Sequence, residues 1–306
     1  MVCEYVVSVG EEVVLEVDGI TLSHGGRDIV RDVSFRVRQG TITLLAGPNG
    51  SGKSTLLSII CGLRQQSSGV VSLSGERYSD MVDPVLRVGA FLSAEWLDAA
   101  RSARENLKIL AQAAGIDASR VEEVIEICGL SAAADRLVKG FSLGMRQRCG
   151  IAASLLGSPK FLILDEPANG LDPLGMAWMR DLLVAHRSNG GTVLLSSHLL
   201  RDAEDICDDL VVLAHGEVQF AGPLAEFGAE AEVISEFASD RWEEIVKVLA
   251  VDAESLDGGL VRVPVEPRLV SEAARRCSAD LTYLVPQKGS LEESFQALVS
   301  GKDSIR

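Results

Sequence analysis

The chain has 306 residues and a mass of 32.6 kDa, enough for one substantial core and a smaller second domain. Its formal net charge is −15 and no Lys/Arg run is present, which argues against an extended polyanion-binding surface, so nucleic acid is not an expected partner. Six cysteines, at 3, 61, 128, 149, 207 and 277, form no Cys-x-x-Cys pair, and no stretch of about 18 apolar residues occurs; the expectation is a cytoplasmic protein with no disulfide framework, zinc site or membrane span. The start, MVCEYVVSVGEE, lacks the basic and apolar regions of a signal peptide.

Residues 13–17 (VVLEV) and 33–37, where Val33, Phe35 and Val37 alternate with Ser34 and Arg36, read as strands of a half-exposed antiparallel sheet. His24 lies between them in SHGGRD, where composition alone makes it an exposed turn residue. The β-prone run Thr41 to Ala46 then enters Gly47-Pro48-Asn49-Gly50-Ser51-Gly52-Lys53-Ser54-Thr55, a complete phosphate-binding loop between a strand and a helix expected over about 54–62. Glycines let backbone N–H groups converge on phosphate oxygens, and the helix start adds its positive end. Lys53 adds a full charge, and the Ser54 hydroxyl is a hard oxygen ligand suited to Mg²⁺.

Short strands follow at 70–73 and 88–92, and from Ser102 to about Leu137 the pattern turns helical, with Ile109, Leu110, Ala113 and Ala114 on one face and Val121, Val124, Ile125 and Cys128 on the next. Ser142 is placed to cap a helix running to about Leu156, another helix start suited to an anion. Phe161 to Leu164 is a continuous apolar run of the kind buried on both faces of a sheet, and it ends in Asp165-Glu166, at the strand edge where ligands bind in open α/β sheets. Turn residues 168–173 (ANGLDP) lead into a helix to Ser188, and the buried strand 192–197 ends at His198, which on position alone reads as structural. After a strand at 210–213, residues from about 222 onward alternate strands (233–237, 260–265, 281–285) with helices (242–249, 267–277, 291–298), a small α+β domain without evident chemistry.

Over residues 13–220 these motifs, in this order, resemble the ATP-binding subunit of an ABC transporter. The resemblance implies an α/β P-loop NTPase of the ABC type: a mixed-sheet core with an antiparallel β subdomain and an inserted helical subdomain at about 95–140. The ATP-binding domain would span 1–221 and an accessory domain 222–306. Residues 47–54 match the Walker A loop and residues 161–166 the Walker B strand, with Asp165 holding Mg²⁺ and Glu166 as catalytic glutamate. Ser142-Leu143-Gly144 matches the signature motif, Gly170-Leu171-Asp172 the D-loop, His198 the switch histidine, and His24 the position that stacks on adenine. Ser93 stands where the family usually has glutamine, and Leu143 and Met145 replace a glycine and a glutamine, giving FSLGM for LSGGQ. Both departures, and a tail containing Gly289-Ser290-Leu291-Glu292-Glu293-Ser294-Phe295, resemble the branch serving drug, bacteriocin or lipid exporters.

The resemblance further implies ATP held between two such subunits, identical or not, and transmembrane permease subunits on a separate chain, with the protein peripheral on the cytoplasmic face of the membrane. An importer subunit and a soluble, non-transport ABC ATPase are the alternatives. Gly140-Phe141-Ser142-Leu143-Gly144 also fits a Gly-x-Ser-x-Gly nucleophile elbow, which would need a strand directly before the serine.

Overall fold

The computed structural model describes residues 12–227, 233–288 and 291–300. The N-terminal segment with Cys3 and the Gly289-Ser290 pair fall outside them. Two compact units divide the chain between Ala225 and Glu226.

In the first unit, β1 (Val13–His24) and β2 (Arg27–Arg38) form a long antiparallel hairpin. Register shifts around Gly19, whose φ is 59°, and again between Val13 and Leu15 break the alternation of apolar residues on β1, so a period-two pattern is visible only at 33–37 on β2. His24 is the last residue of β1, and Gly25 and Gly26, both at positive φ, make the turn beyond it. β3 (Ile42–Ala46) is fully buried and delivers the chain to the loop before α1 (Lys53–Ile60). β4 (Ser68–Leu73) pairs with β1, so the small sheet has the order β2-β1-β4. α2 (Pro84–Arg87) then leads into β5 (Val88–Phe91).

The helical insert holds α3 (Ala103–Ala113) and α4 (Ser119–Ile127). Ser102 and Glu105 form a reciprocal capping box at the start of α3. α5 (Leu143–Ser154) is capped by Ser142, whose Oγ accepts from Met145 N–H at 3.2 Å. The residues before it, 138–140, form a 3₁₀ turn and not a strand, which removes the support a nucleophile elbow requires.

β6 (Phe161–Leu164), α6 (Pro173–Ser188), β7 (Thr192–Ser197), β8 (Asp209–Ala214) and β9 (Glu217–Pro223) complete the unit. The main sheet has the order β5-β6-β7-β3-β8-β9, parallel except for β9. β9 runs past the expected boundary at 221, because its pairing with β8 finishes this sheet. The C-terminal edges of β3, β6 and β7 all lie side by side, with β7 between the other two.

The second unit runs β10 (Val233–Ala238), α7 (Trp242–Leu249), β11 (Glu254–Ser255), β12 (Val261–Val263), α8 (Pro267–Cys277), β13 (Tyr283–Lys288) and α9 (Leu291–Val299). Its sheet is wholly antiparallel with the order β11-β12-β10-β13, and the β-α-β-β-α-β succession is the split βαβ arrangement. Phe237, Ile245, Val261, Val263 and Val270 form its core.

Among the described residues no helix is long and apolar enough to cross a membrane. The five described cysteines are free, and burial pushes the thiols of Cys61, Cys128, Cys149 and Cys207 up to about 12, which keeps them protonated.

Candidate active site

The loop from Gly47 to Gly52 is fixed by close backbone approaches that only glycine permits. A Cβ on Gly47 would fall 2.1 Å from the Leu213 carbonyl oxygen, and one on Gly52, whose φ is 107°, 2.6 Å from Val30 Cγ1. Gly47 N–H donates to the Ser197 carbonyl at 3.2 Å, tying the loop to the end of β7. Gly50 also sits at positive φ, and Ser51 N–H closes a turn on the Pro48 carbonyl at 3.1 Å. The first N–H groups of α1 have no intrahelical acceptor and no side-chain cap, and Lys53, Ser54 and Thr55 at that helix start line the cleft beside the loop.

Lys53 is buried, with its ammonium donating to the carbonyls of Gly47 at 2.7 Å and Pro48 at 3.3 Å. The same nitrogen lies 3.3 Å from Glu166 Oε1, and the other oxygen of that carboxylate lies 2.8 Å from His198 Nδ1. One carboxylate thus joins the loop lysine to the histidine at the end of β7. Glu166 itself has φ 45°, the left-handed region that a non-glycine residue occupies at a cost of about 1–3 kcal/mol. Its N–H donates to Ser196 Oγ at 2.9 Å, and its carbonyl accepts from Gln147 Nε2 on α5 at 3.3 Å. Asp165 is buried beside it, with Oδ1 accepting from Ser196 Oγ and its N–H donating to the Phe91 carbonyl at 2.7 Å.

A cleft of about 340 Å³ opens here, lined by Ile29, Asn49, Gly50, Gly52, Lys53, Ser54, Thr55, Glu166, Asn169 and His198. Ser142, Gly144 and Asp172 are not among its lining residues: Asp172 caps α6 through Gly175 N–H at 2.7 Å, and Gly144 packs against Gly170. His24 is exposed at its hairpin tip and also does not line the cleft. Ser93 is exposed, its Oγ accepting from Glu95 N–H at 3.0 Å. Sequence patterns did not single out Ile29, Asn169, Gln147 or Ser196. The available signal was a polar residue inside an apolar run, serine within TVLLSS, and a glutamine on the buried side of α5.

The residues fit a nucleoside triphosphate with a divalent cation. The Gly47 cradle has no room for a side chain, and Ser51 Oγ is a buried hydroxyl without a hydrogen-bond partner. Ser54 and Asp165 carry oxygen donors of the kind that would suit Mg²⁺, which takes one or two hard ligands from protein when phosphates and water provide the rest.

A glycine-lined loop between a parallel strand and a helix, with its lysine against Glu166 just past the end of β6, one strand removed in the same sheet, defines a P-loop nucleoside triphosphatase. A family model described as ABC transporter matches residues 30–169. The uncharacterized ABC transporter ATP-binding protein YdbJ of Bacillus subtilis (strain 168) is 37% identical over 292 residues, covering 93% of this chain and 94% of that protein. The bacitracin transport ATP-binding protein BcrA of Enterococcus faecalis is 31% identical over 301 residues, covering 95% of this chain and 97% of that one. A solved structure described as the ATP binding subunit of an ABC transporter superposes with a TM-score of 0.64 at 29% identity, over 71% of this chain and 92% of its own. The chain belongs to the ABC transporter ATP-binding proteins, and its chemistry is ATP binding and hydrolysis.

Proposed function

We propose that this ATPase powers a membrane exporter for a drug, antibiotic peptide or lipid, with the transmembrane part on a separate chain. The observation that carries the catalytic reading is the single carboxylate of Glu166 lying against both Lys53 and His198 at the mouth of the loop. In that reading Lys53 and the loop amides from Gly47 to Thr55 neutralise the β- and γ-phosphates. Glu166 takes the proton of the attacking water, and His198 orients the γ-phosphate. Mg²⁺, held by Ser54 and by Asp165, would supply charge neutralisation at the phosphates. His24 stacks on the adenine ring.

Ser142 and Gly144 lie outside the cleft that holds Lys53, which supports a reading in which they complete the ATP site of a second ATPase subunit, identical or homologous, with Asp172 ordering the junction. A second, more apolar cleft of about 510 Å³ beside the half-exposed Trp96 is lined by residues of α2, β5 and α3, and it suits the membrane partner. The protein would then sit on the cytoplasmic face of the membrane. Export is favoured by the likeness to the bacitracin transport protein across almost the whole chain, the second unit included.

The test is a pull-down of tagged Glu166→Gln protein from native membranes solubilised with ATP and Mg²⁺, read by mass spectrometry. A polytopic membrane protein in stoichiometric amount is the expected result. Recovery of soluble complexes or ribosomes alone would sink the transport reading and leave the ATPase standing, and a co-purifying substrate-binding protein would point to import.

A further inference from the structure

Ser196 sits on β7, between the loop strand and the acidic strand, and is completely buried. Its hydroxyl makes two hydrogen bonds at once: Oγ–H donates to Asp165 Oδ1, and Oγ accepts from Glu166 N–H at 2.9 Å. A serine has one proton to give, so Asp165 takes all of its donor capacity. The two residues it holds are consecutive in the chain and carry different tasks.

The placement follows from the sheet. The β6–β7 ladder ends at the pair Leu164 and Leu195, and the next residue on β7 is Ser196. Asp165 N–H has turned the other way, to Phe91 on β5. On the β7 side the serine hydroxyl therefore does what a backbone rung would otherwise do, and it does so for the peptide at which the chain enters the left-handed conformation of Glu166. Gln147 Nε2 holds the carbonyl of the same residue from the opposite end. Both backbone polar groups of Glu166 are clamped, and the Asp165 carboxylate is given one direction.

We propose that Ser196 is a positioning residue for ATP hydrolysis: it aims Asp165 at the nucleotide-bound cation and locks the Glu166 backbone so that the base faces the phosphates. This rests on the roles proposed for Asp165 and Glu166. An outer group that orients a metal ligand in this way is worth roughly 10- to 100-fold in metal affinity or activity.

The experiment uses the full chain and the variants Ser196→Ala, Ser196→Cys and Glu166→Gln. ADP affinity is measured in EDTA and then with Mn²⁺, and ATPase turnover is measured across a Mg²⁺ titration. For Ser196→Ala the expected result is unchanged ADP affinity in EDTA, a roughly 10- to 100-fold smaller gain on adding Mn²⁺, and a fall in kcat of the same order with little change in KM. Ser196→Cys keeps the shape of the side chain at a slightly larger size but is a weak hydrogen-bonding group, so it should show the same defect, and it carries the comparison if the alanine protein unfolds. Parent-like behaviour of the cysteine variant overturns the proposal, because packing would then suffice. Equal loss of ADP affinity with and without metal overturns it too, as the role would be structural. If Glu166→Gln retained full turnover, the fault would lie with the assignment of the base.

Discussion

Leu143 lies directly over Gly170: a Cβ on the glycine would fall 2.4 Å from Leu143 Cδ2 and 2.5 Å from its Cγ. The leucine at the start of α5 therefore has a counterpart, a residue without a side chain in the turn before α6. Gly144 makes the complementary approach, with its would-be Cβ 2.9 Å from the Gly170 carbonyl oxygen. The FSLGM form of the signature and the Asn-Gly form of the following turn are two halves of one packing arrangement.

Gly170→Ala should therefore destabilise the first unit by about 1–3 kcal/mol through overpacking, with a further cost of about 1–2 kcal/mol for a side chain at φ 75°. Adding Leu143→Gly should recover the overpacking part only. Urea unfolding of the parent, both single variants and the double variant gives the coupling, expected at about 0.5–3 kcal/mol. Strict additivity would show that the two residues do not press on each other.

Glu166→Gln retains the size of the side chain but cannot accept a proton from water. Turnover should fall about 100- to 10,000-fold while ATP affinity holds or improves. Single-turnover hydrolysis and equilibrium binding separate the two; parent-rate hydrolysis would remove Glu166 as the base.

Lys53 and Gly47 should fail in different ways. Lys53→Ala takes away a charged donor from the cleft and should weaken ATP binding by about 1.5–3 kcal/mol while leaving the apo protein folded, since the two loop carbonyls can then be hydrated. Gly47→Ala drives a methyl group into the Leu213 carbonyl, a backbone atom that cannot step aside, so the loop itself should be displaced and the thermal midpoint should drop. Calorimetric unfolding beside nucleotide titration distinguishes them, and a Gly47→Ala protein as stable as the parent would contradict the close approach of the loop to β8.

The parts of this site that could be read from residues alone are those whose spacing is imposed by a single stretch of backbone. The loop from Gly47 to Thr55 must place its glycines, lysine and hydroxyl along one strand-turn-helix, so the pattern carries its own geometry. The strands that end before Glu166 and His198 were legible for a similar reason, as apolar runs that mark central strands, but position alone left His198 a structural residue, and roles for the two side chains came only with the resemblance. Ser196 and Gln147 were not legible, because their contacts depend on the register between β6 and β7 and on how α5 rotates against that edge. The hairpin strands were legible only in part, since the shifts around Gly19 interrupt the alternation on which strand recognition rests.

His186, in the last turn of α6, should make the first unit sensitive to mild acid. A helix C-terminus favours a cation, but burial holds this imidazole below its ordinary range, against the opposing pull of backbone hydrogen bonds at Lys160 and Thr192. Nε2 has no hydrogen-bond partner and faces Gly191, where a Cβ would fall 2.3 Å away, so no acceptor is at hand for a second proton. In the unfolded chain the ring titrates near pH 6.5, and in the folded chain lower, so the unfolded state binds more protons in that window. Its contribution to stability is present above pH 6.5 and is lost as pH falls toward the folded-state value. Thermal midpoints of the parent should therefore drop between about pH 7.5 and about pH 5.5 by more than those of His186→Gln, which cannot titrate. Equal drops in the two proteins would assign the acid sensitivity to other groups, because only the difference between them reports on this ring.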